Sequence, residues 1–184
     1  MPKFDWSNTQ AASGGGVFTI PNDGYVCVIT AAEWGTSTNG QPRLKLTWDV
    51  AEGPYAGVCA NNGWYDSKHC DYISFSPSAL RFAKQKLEAI AKSNPGFDPF
   101  AAWDAGRVDM FANRLVGINI QEEEYERDGE VKTRMNVCQV VDAQRVRDGK
   151  VKPRAKKSIG GGGKRPNAPT LKQSELYTGD VPFD

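Results

Sequence analysis

Residues Tyr25 to Val50 constrain this chain more than any other stretch, because they read as two long strands joined by a tight turn. Tyr25-Val26-Cys27-Val28-Ile29-Thr30 is β-branched and aromatic with no helical period. Thr36-Ser37-Thr38-Asn39-Gly40-Gln41-Pro42 is a turn cluster in which Asn39-Gly40 offers the positive φ angles of a hairpin turn. From Arg43 to Val50 the pattern alternates. Leu44, Leu46, Trp48 and Val50 share a core face, and Arg43, Lys45, Thr47 and Asp49 share a wet one. The first strand is apolar on both faces, as expected of a central, strongly curved strand in a small barrel.

The rest of the chain is organised around that hairpin. Residues 1–16 are polar, end in Gly14-Gly15-Gly16 and read as a flexible arm that Phe4 and Trp6 anchor to the barrel. Val17 to Ile20 is a short apolar run before the turn Pro21-Asn22-Asp23-Gly24. A third extended region is expected to begin near Val58 and to resume at Tyr72-Ile73-Ser74-Phe75, after a polar loop that carries Trp64 and Tyr65. Ser76-Pro77-Ser78 predicts a helix start, with Ser76 as cap, and Leu80, Ala83, Leu87 and Ile90 as the apolar stripe. Asn94-Pro95-Gly96 ends it. Pro99 to Asn113 is expected to hold one or two helical turns. Leu115 to Gln121 is a fourth strand with Val116, Ile118 and Ile120 inward, Arg127-Asp128-Gly129 a second hairpin turn, and Thr133 to Ala143 a fifth strand. Three strands, a helix and a closing hairpin is the order of the five-stranded oligonucleotide/oligosaccharide-binding (OB) barrel, a mainly-β fold with its helix between strands 3 and 4. A sandwich or an open α+β sheet is the competing arrangement.

Charge divides the chain of 184 residues into blocks that its net charge of +1 conceals. Residues 1–144 carry 13 Lys/Arg against 18 Asp/Glu, a mildly acidic body. Residues 145–172 carry 10 Lys/Arg and only Asp148, and residues 173–184 carry Glu175, Asp180 and Asp184. Such blocks mark interaction tails. We therefore expect four regions: the arm 1–16, a barrel domain 17–144, a basic Gly/Pro-rich disordered linker 145–178 around Gly160–Gly163, and a tip 179–184. Cys27, Cys59, Cys70 and Cys138 include no CxxC pair, so a reducing cytoplasm without a disulfide framework is expected. No run reaches the roughly 18 apolar residues of a membrane span. No charged-then-apolar leader opens the chain, and it is expected to remain in the compartment where it is made.

Ala32-Glu33-Trp34, the turn Asn39-Gly40-Gln41-Pro42, Leu44-Lys45-Leu46-Thr47-Trp48, the helix near Leu80–Ala91 and the closing hairpin resemble bacteriophage single-stranded-DNA-binding proteins of the OB type. The resemblance covers roughly residues 17–144 and the extreme end. Gly179-Asp180-Val181-Pro182-Phe183-Asp184 is similar to the acidic Asp-Pro-Phe tips of bacterial and phage single-stranded-DNA-binding proteins, except that Asp184 follows Phe183. The resemblance implies a DNA-coating role in phage replication and recombination, in the cytoplasm of the bacterial host. It implies replication or recombination proteins as partners of Asp180, Val181, Pro182 and Phe183, leaves room for a homo-oligomer, and implies no cofactor. On physical grounds, Val181-Pro182-Phe183 is a compact apolar plug whose proline lowers the ordering cost of docking.

Binding single strands without sequence choice needs cations along a groove and flat side chains for base stacking. Arg43 and Lys45 share the outer face of the second strand, Lys132 and Arg134 open the fifth, and Lys68 lies in the loop before the third. Trp64, Tyr65 and Tyr72 lie on or beside that loop, and Trp34 ends the first strand at the expected binding rim. Trp48, in phase with Leu44 and Leu46, is assigned to the core.

Catalysis finds little support. One histidine, His69, leaves no Ser/His/Asp set with a second base. Gly160–Gly163 before Lys164 lacks the ending of a phosphate loop. Glu122, Glu123, Glu124, Glu126 and Asp128 would suit a metal-dependent nuclease, and Cys59, His69, Cys70 and Cys138 a zinc site of irregular spacing. A solvated hairpin end explains the first group more simply. The expected protein is a non-enzymatic binder of single-stranded DNA; a small nuclease and a protein-only adaptor are the alternatives.

Overall fold

The computed structural model describes residues 20–62 and 69–159. Its strands are β1 (Gly24–Thr36), β2 (Pro42–Val50), β3 (Cys70–Ser74), β4 (Leu115–Arg127) and β5 (Glu130–Val141). The helices are α1 (Val58–Asn61), α2 (Leu80–Ser93), α3 (Pro99–Asp104) and α4 (Ala143–Arg147), with a 3₁₀ turn at Val108–Phe111. The protein is mainly β: one antiparallel sheet in the order β3-β2-β1-β4-β5, with α2 between β3 and β4. β1 pairs with both β2 and β4, which is the OB connectivity expected from the order of elements. Among the described residues no ladder joins the edge strands β3 and β5, and a cleft of about 290 Å³ lies between them, floored by Trp48 and Ile120.

Each hairpin has a local cause. Gly40, at φ 71°, turns the chain between β1 and β2, and the Ser37 amide donates to the Gln41 carbonyl; Asn39 stays out of the left-handed region. Asp128 and Gly129, at φ 58° and 75°, form the two-residue loop between paired Arg127 and Glu130, the positive-φ pair a tight hairpin requires. A register shift between Ile29 and Ala31 bends the long β1.

Leu44, Leu46, Trp48 and Val50 are buried, as are Val116, Ile118 and Ile120. The alternation along β2 is only partial, because Thr47 and Asp49 are buried too. Asp49 is there for a reason: its carboxylate accepts the backbone N–H groups of Val50, Cys59 and Ala60. α2 buries Ala83, Leu87 and Ile90 against the sheet, each large aliphatic contributing about 1.5–3 kcal/mol. Asn94 ends α2 and ties it to β4, its amide donating to the Ile90 and Leu115 carbonyls while its side-chain oxygen accepts the Leu115 N–H.

Several expectations are corrected. The region near Val58 is the helical turn α1, not strand, because Asp49 gathers its amides. Ser76 does not cap α2: residues 76–79 form a preceding turn, and the helix starts at Leu80 with Ala79 before it. Leu80 is 51% exposed and stands outside the core stripe. β1 runs on to Thr36 and β4 to Arg127, because each pairs with a long partner in its hairpin.

The largest correction concerns residues 145–159, assigned from composition to a disordered linker. They are folded. α4, capped by the Asp142 carboxylate, packs on β1 and β4. The chain then runs along the free edge of β4: the Lys157 N–H donates to the Glu122 carbonyl and the Glu124 N–H to the Lys157 carbonyl. Side chains of Asn22, Asn119 and Gln121 donate to the carbonyls of Arg154, Lys152 and Ala155. Gly24 permits close approach, since a Cβ there would lie 2.7 Å from Val151 Cγ1. The remaining expectations for residues 1–19 and 160–184, including the arm, Gly160–Gly163 and the tip, lie outside the described residues.

Candidate nucleic-acid interface

The β2–β3 ladder places three of the sequence-predicted residues on one outer surface. Lys45 faces Tyr72 across the ladder and Glu33 across the β1–β2 ladder, so Glu33, Lys45 and Tyr72 form a row. Arg43 lies one position along on the same face, opposite Ser74. Its guanidinium carbon is 4.6 Å from the Tyr72 ring centroid, a cation–π arrangement. Tyr72 stays 43% exposed. Its hydroxyl pKa is raised, mainly by partial burial and by Cys70, against the opposing pull of Arg43 and Lys45; it is a neutral donor and a flat ring at physiological pH.

The cations differ in availability. Lys45 bridges to Glu33 at 3.3 Å, Lys132 to Glu130 at 3.3 Å and Arg134 to Glu123 at 3.0 Å. Arg43 makes no ion pair among the described residues. Pairs with an exposed carboxylate, such as Glu33 or Glu130, are worth about 0–1 kcal/mol, so an incoming phosphate exchanges with them at little cost, whereas Glu123 is buried and its removal from Arg134 costs more. Arg134 lines the cleft between β3 and β5 together with Tyr72, which joins β5 to the outer surface of β2–β3. Lys132 lies farther along β5, opposite Tyr125 and near the hairpin turn.

Trp34 belongs elsewhere. It faces Leu44, which in turn faces buried Ile73, so this row lies on the opposite side of the sheet from Lys45 and Tyr72. Trp34 is 56% exposed and leans on Trp103 of α3, with ring centroids 4.9 Å apart. Trp103 stacks on Phe75 at 3.6 Å and 10°. Trp34 and Trp103 line a cavity of about 540 Å³ together with Asp104, Gly106 and Val108. Trp64, Tyr65 and Lys68 lie outside the described residues, as do Asp180, Val181, Pro182 and Phe183.

The acidic ladder of β4 is engaged with cations from two sides. Glu123, though buried, meets Arg134 and Lys157; Glu122 and Glu124 meet Lys156 at 3.9 and 2.9 Å. Lys157 above all, then Arg134, holds the Glu123 carboxyl below its ordinary pKa, and Lys156 does the same for Glu124. Among the described residues no three His, Cys, Asp or Glu side chains converge on a metal position. Cys59 is buried, and burial with the neighbouring Asp49 pushes its thiol pKa up. No described helix is long and apolar enough to cross a membrane.

Sequence reasoning passed over Trp103 and the exposed Phe82 of α2. The signal for Phe82 was present: an aromatic residue set off the Ala83-Leu87-Ile90 stripe has no core to enter.

No family model matches this chain, and no curated protein matches it. It is similar to a chain in a solved structure titled "Yeast RPA bound to ssDNA", over 74% of this chain and 83% of that one, at 8% identity and a TM-score of 0.30. A likeness at that level carries no weight for what this chain binds.

Proposed function

We propose that this protein binds single-stranded DNA without sequence choice, laying the strand across the outer surface of β2 and β3. The observation that carries this is Arg43 over Tyr72: an exposed ring on which a base can stack, joined to a guanidinium that makes no ion pair among the described residues. Stacking on a ring is tolerant of sequence because every base has a π face, and it requires an unpaired base. Lys45 adds a phosphate contact by exchanging exposed Glu33 for DNA, and Arg134, whose guanidinium stays exposed beside buried Glu123, adds positive charge along the cleft.

The protein acts by binding and protecting the strand, without catalysis. The engagement of Glu122, Glu123 and Glu124 with Lys156, Lys157 and Arg134 supports this over a nuclease built on those acids. The resemblance of the sequence extends the proposal to phage DNA replication and recombination in a bacterial host. There the tip Asp180-Val181-Pro182-Phe183 recruits partner proteins by docking its Val-Pro-Phe plug.

The experiment is a titration of the full chain with labelled oligo-dT and with duplex of equal length. Preference for the single strand is expected. Equal affinity for both, or no binding, would overturn the proposal, and magnesium-dependent loss of the strand would return the nuclease. For the tip, chain lacking Gly179–Asp184 should bind oligo-dT as tightly or more tightly and lose its replication or recombination partner. Retention of that partner would remove the tip from the proposal.

A further inference from the structure

α2 carries a second aromatic–guanidinium pair that the β2–β3 surface does not use. Phe82 is 51% exposed, and the Arg81 guanidinium carbon lies 4.6 Å from its ring centroid. This repeats the Arg43–Tyr72 arrangement at the same distance.

The helix that carries the second pair is tied to the strand that carries the first. Lys86 lies one helical turn beyond Phe82 on the same helix face. Its ammonium donates to the Tyr72 carbonyl at 2.9 Å and to Asp71 at 2.5 Å, fixing that face of α2 to the outer edge of β3. β3 runs from Cys70 toward Ser74, and the turn at 76–79 reverses the chain into α2. The Lys86 contacts therefore hold this face of α2 against the strand that carries Tyr72, and Phe82 lies one helical turn before Lys86.

The charge of this surface fits a polyanion. On the Phe82 face α2 presents Arg81 beside the ring and Lys86 one turn on, the latter paired with Asp71, and from Leu80 to Leu87 the helix contains no acid. A protein partner would also find apolar surface here, but the alternation of ring and cation, repeated from the neighbouring strand, is the pattern a nucleotide chain reads.

We infer that Phe82 and Arg81 form a second nucleotide subsite, in which the strand that crosses Tyr72 passes over the edge of β3, stacks its next bases on Phe82 and places a phosphate against Arg81. The subsite rests on the single-strand binding proposed above and extends its path onto α2.

The test is fluorescence anisotropy of the full chain with oligo-dT of increasing length, for wild type, Phe82→Ala, Phe82→Trp and Arg81→Glu. The shortest oligonucleotides that bind should be indifferent to all three substitutions. Longer ones should lose roughly tenfold with Phe82→Ala, within the range of one lost stack, and regain it with Phe82→Trp. Arg81→Glu leaves the ring in place, and it should flatten the salt dependence for the longer oligonucleotides only. Equal binding by all four proteins at every length overturns the subsite while leaving the β2–β3 surface intact. Equal loss at every length also overturns it, since Phe82 would then serve the first site. Failure of the underlying reading looks different: wild type itself binds no oligonucleotide, and subsite and surface fall together.

Discussion

Arg43 covers Tyr72 diagonally: Tyr72 faces Lys45 across the β2–β3 ladder and Arg43 faces Ser74, yet the guanidinium reaches back to lie 4.6 Å from the ring centroid. The offset places one guanidinium against the ring and one ammonium, Lys45, directly opposite it. Ring and cations therefore alternate at the spacing of neighbouring residues in a sheet, which suits a ligand that alternates bases and phosphates.

Tyr72→Ala should weaken binding of oligo-dT by about 1–3 kcal/mol, one lost stack. Thermal stability should stay within about 0.5 kcal/mol, because the side chain is exposed and outside the core. Tyr72→Phe should bind like wild type. Titration with calorimetric or circular-dichroism melting separates the two effects; undiminished binding by Tyr72→Ala would remove the ring from the interface.

Arg43 and Lys45 should differ, although the sequence makes them look equivalent. Arg43→Glu should reduce the slope of log K against log salt by roughly 0.7, the share of one single-strand phosphate contact. Lys45→Glu should do less, because Lys45 is already paired with Glu33. Glu33→Gln should tighten binding, most of all at low salt, where released charge is least screened. Equal slopes for the two charge reversals would mean that the Glu33 pair does not compete with phosphate.

Gly24 tests the folded course of residues 150–159. Gly24→Ala brings a methyl within 2.7 Å of Val151 Cγ1 and 2.9 Å of Val151 Cβ, and overpacking of this kind costs about 1–3 kcal/mol. Adding Val151→Ala should recover most of the loss, since the two sites share one contact. A Gly24→Ala chain that melts like wild type would show Val151 away from β1 in solution.

Acid should loosen the same segment. The Glu123 carboxyl is lowered from its ordinary 4.5 by its hydrogen bond to Lys157 first and to Arg134 second. A depressed carboxyl contributes stability that is fully present above its ordinary pKa and is lost as pH falls through its lower folded-state value. Amide exchange at Glu124 and Lys157, which hydrogen-bond across this edge, should therefore quicken below about pH 4.5. Glu123→Gln should reduce that pH dependence, leaving the share of Glu124, whose carboxyl Lys156 lowers in the same way. An unchanged profile in the variant would place the acid-sensitive group elsewhere.

Much of this protein is local, and so it was legible in the sequence. The alternation of Leu44, Leu46 and Trp48, the Gly40 and Asp128-Gly129 turns, and the stop at Asn94 depend on residues within a few positions of each other. The two hairpins, β1–β2 and β4–β5, follow from these local signals, whereas the β1–β4 pairing that joins them into one sheet links residues far apart in the chain. Composition misled at 145–159, because a polar, basic run need not stay unfolded when a partner edge is waiting for it. That edge is the part of β4 beyond its pairing with β1; Gln121 satisfies a carbonyl of the segment from there, and Asn119, paired with Gly24, and Asn22, just before β1, satisfy two more.

The candidate site divides in the same way. Residue type alone singled out Arg43, Lys45 and Tyr72, since side chains two apart in a strand share a face. Only the ladder register could decide that Tyr72 meets Arg43 and Lys45, whereas Trp34, paired with Leu44, turns to the other side of the sheet beside Trp103. Only tertiary packing could pair Lys45 with Glu33, Arg134 with Glu123, and α2 with the edge of β3. Period and turn chemistry act between near neighbours and are written in the order of residues. Register, charge pairing and helix docking join distant residues, and they acquire a value only when the sheet has formed.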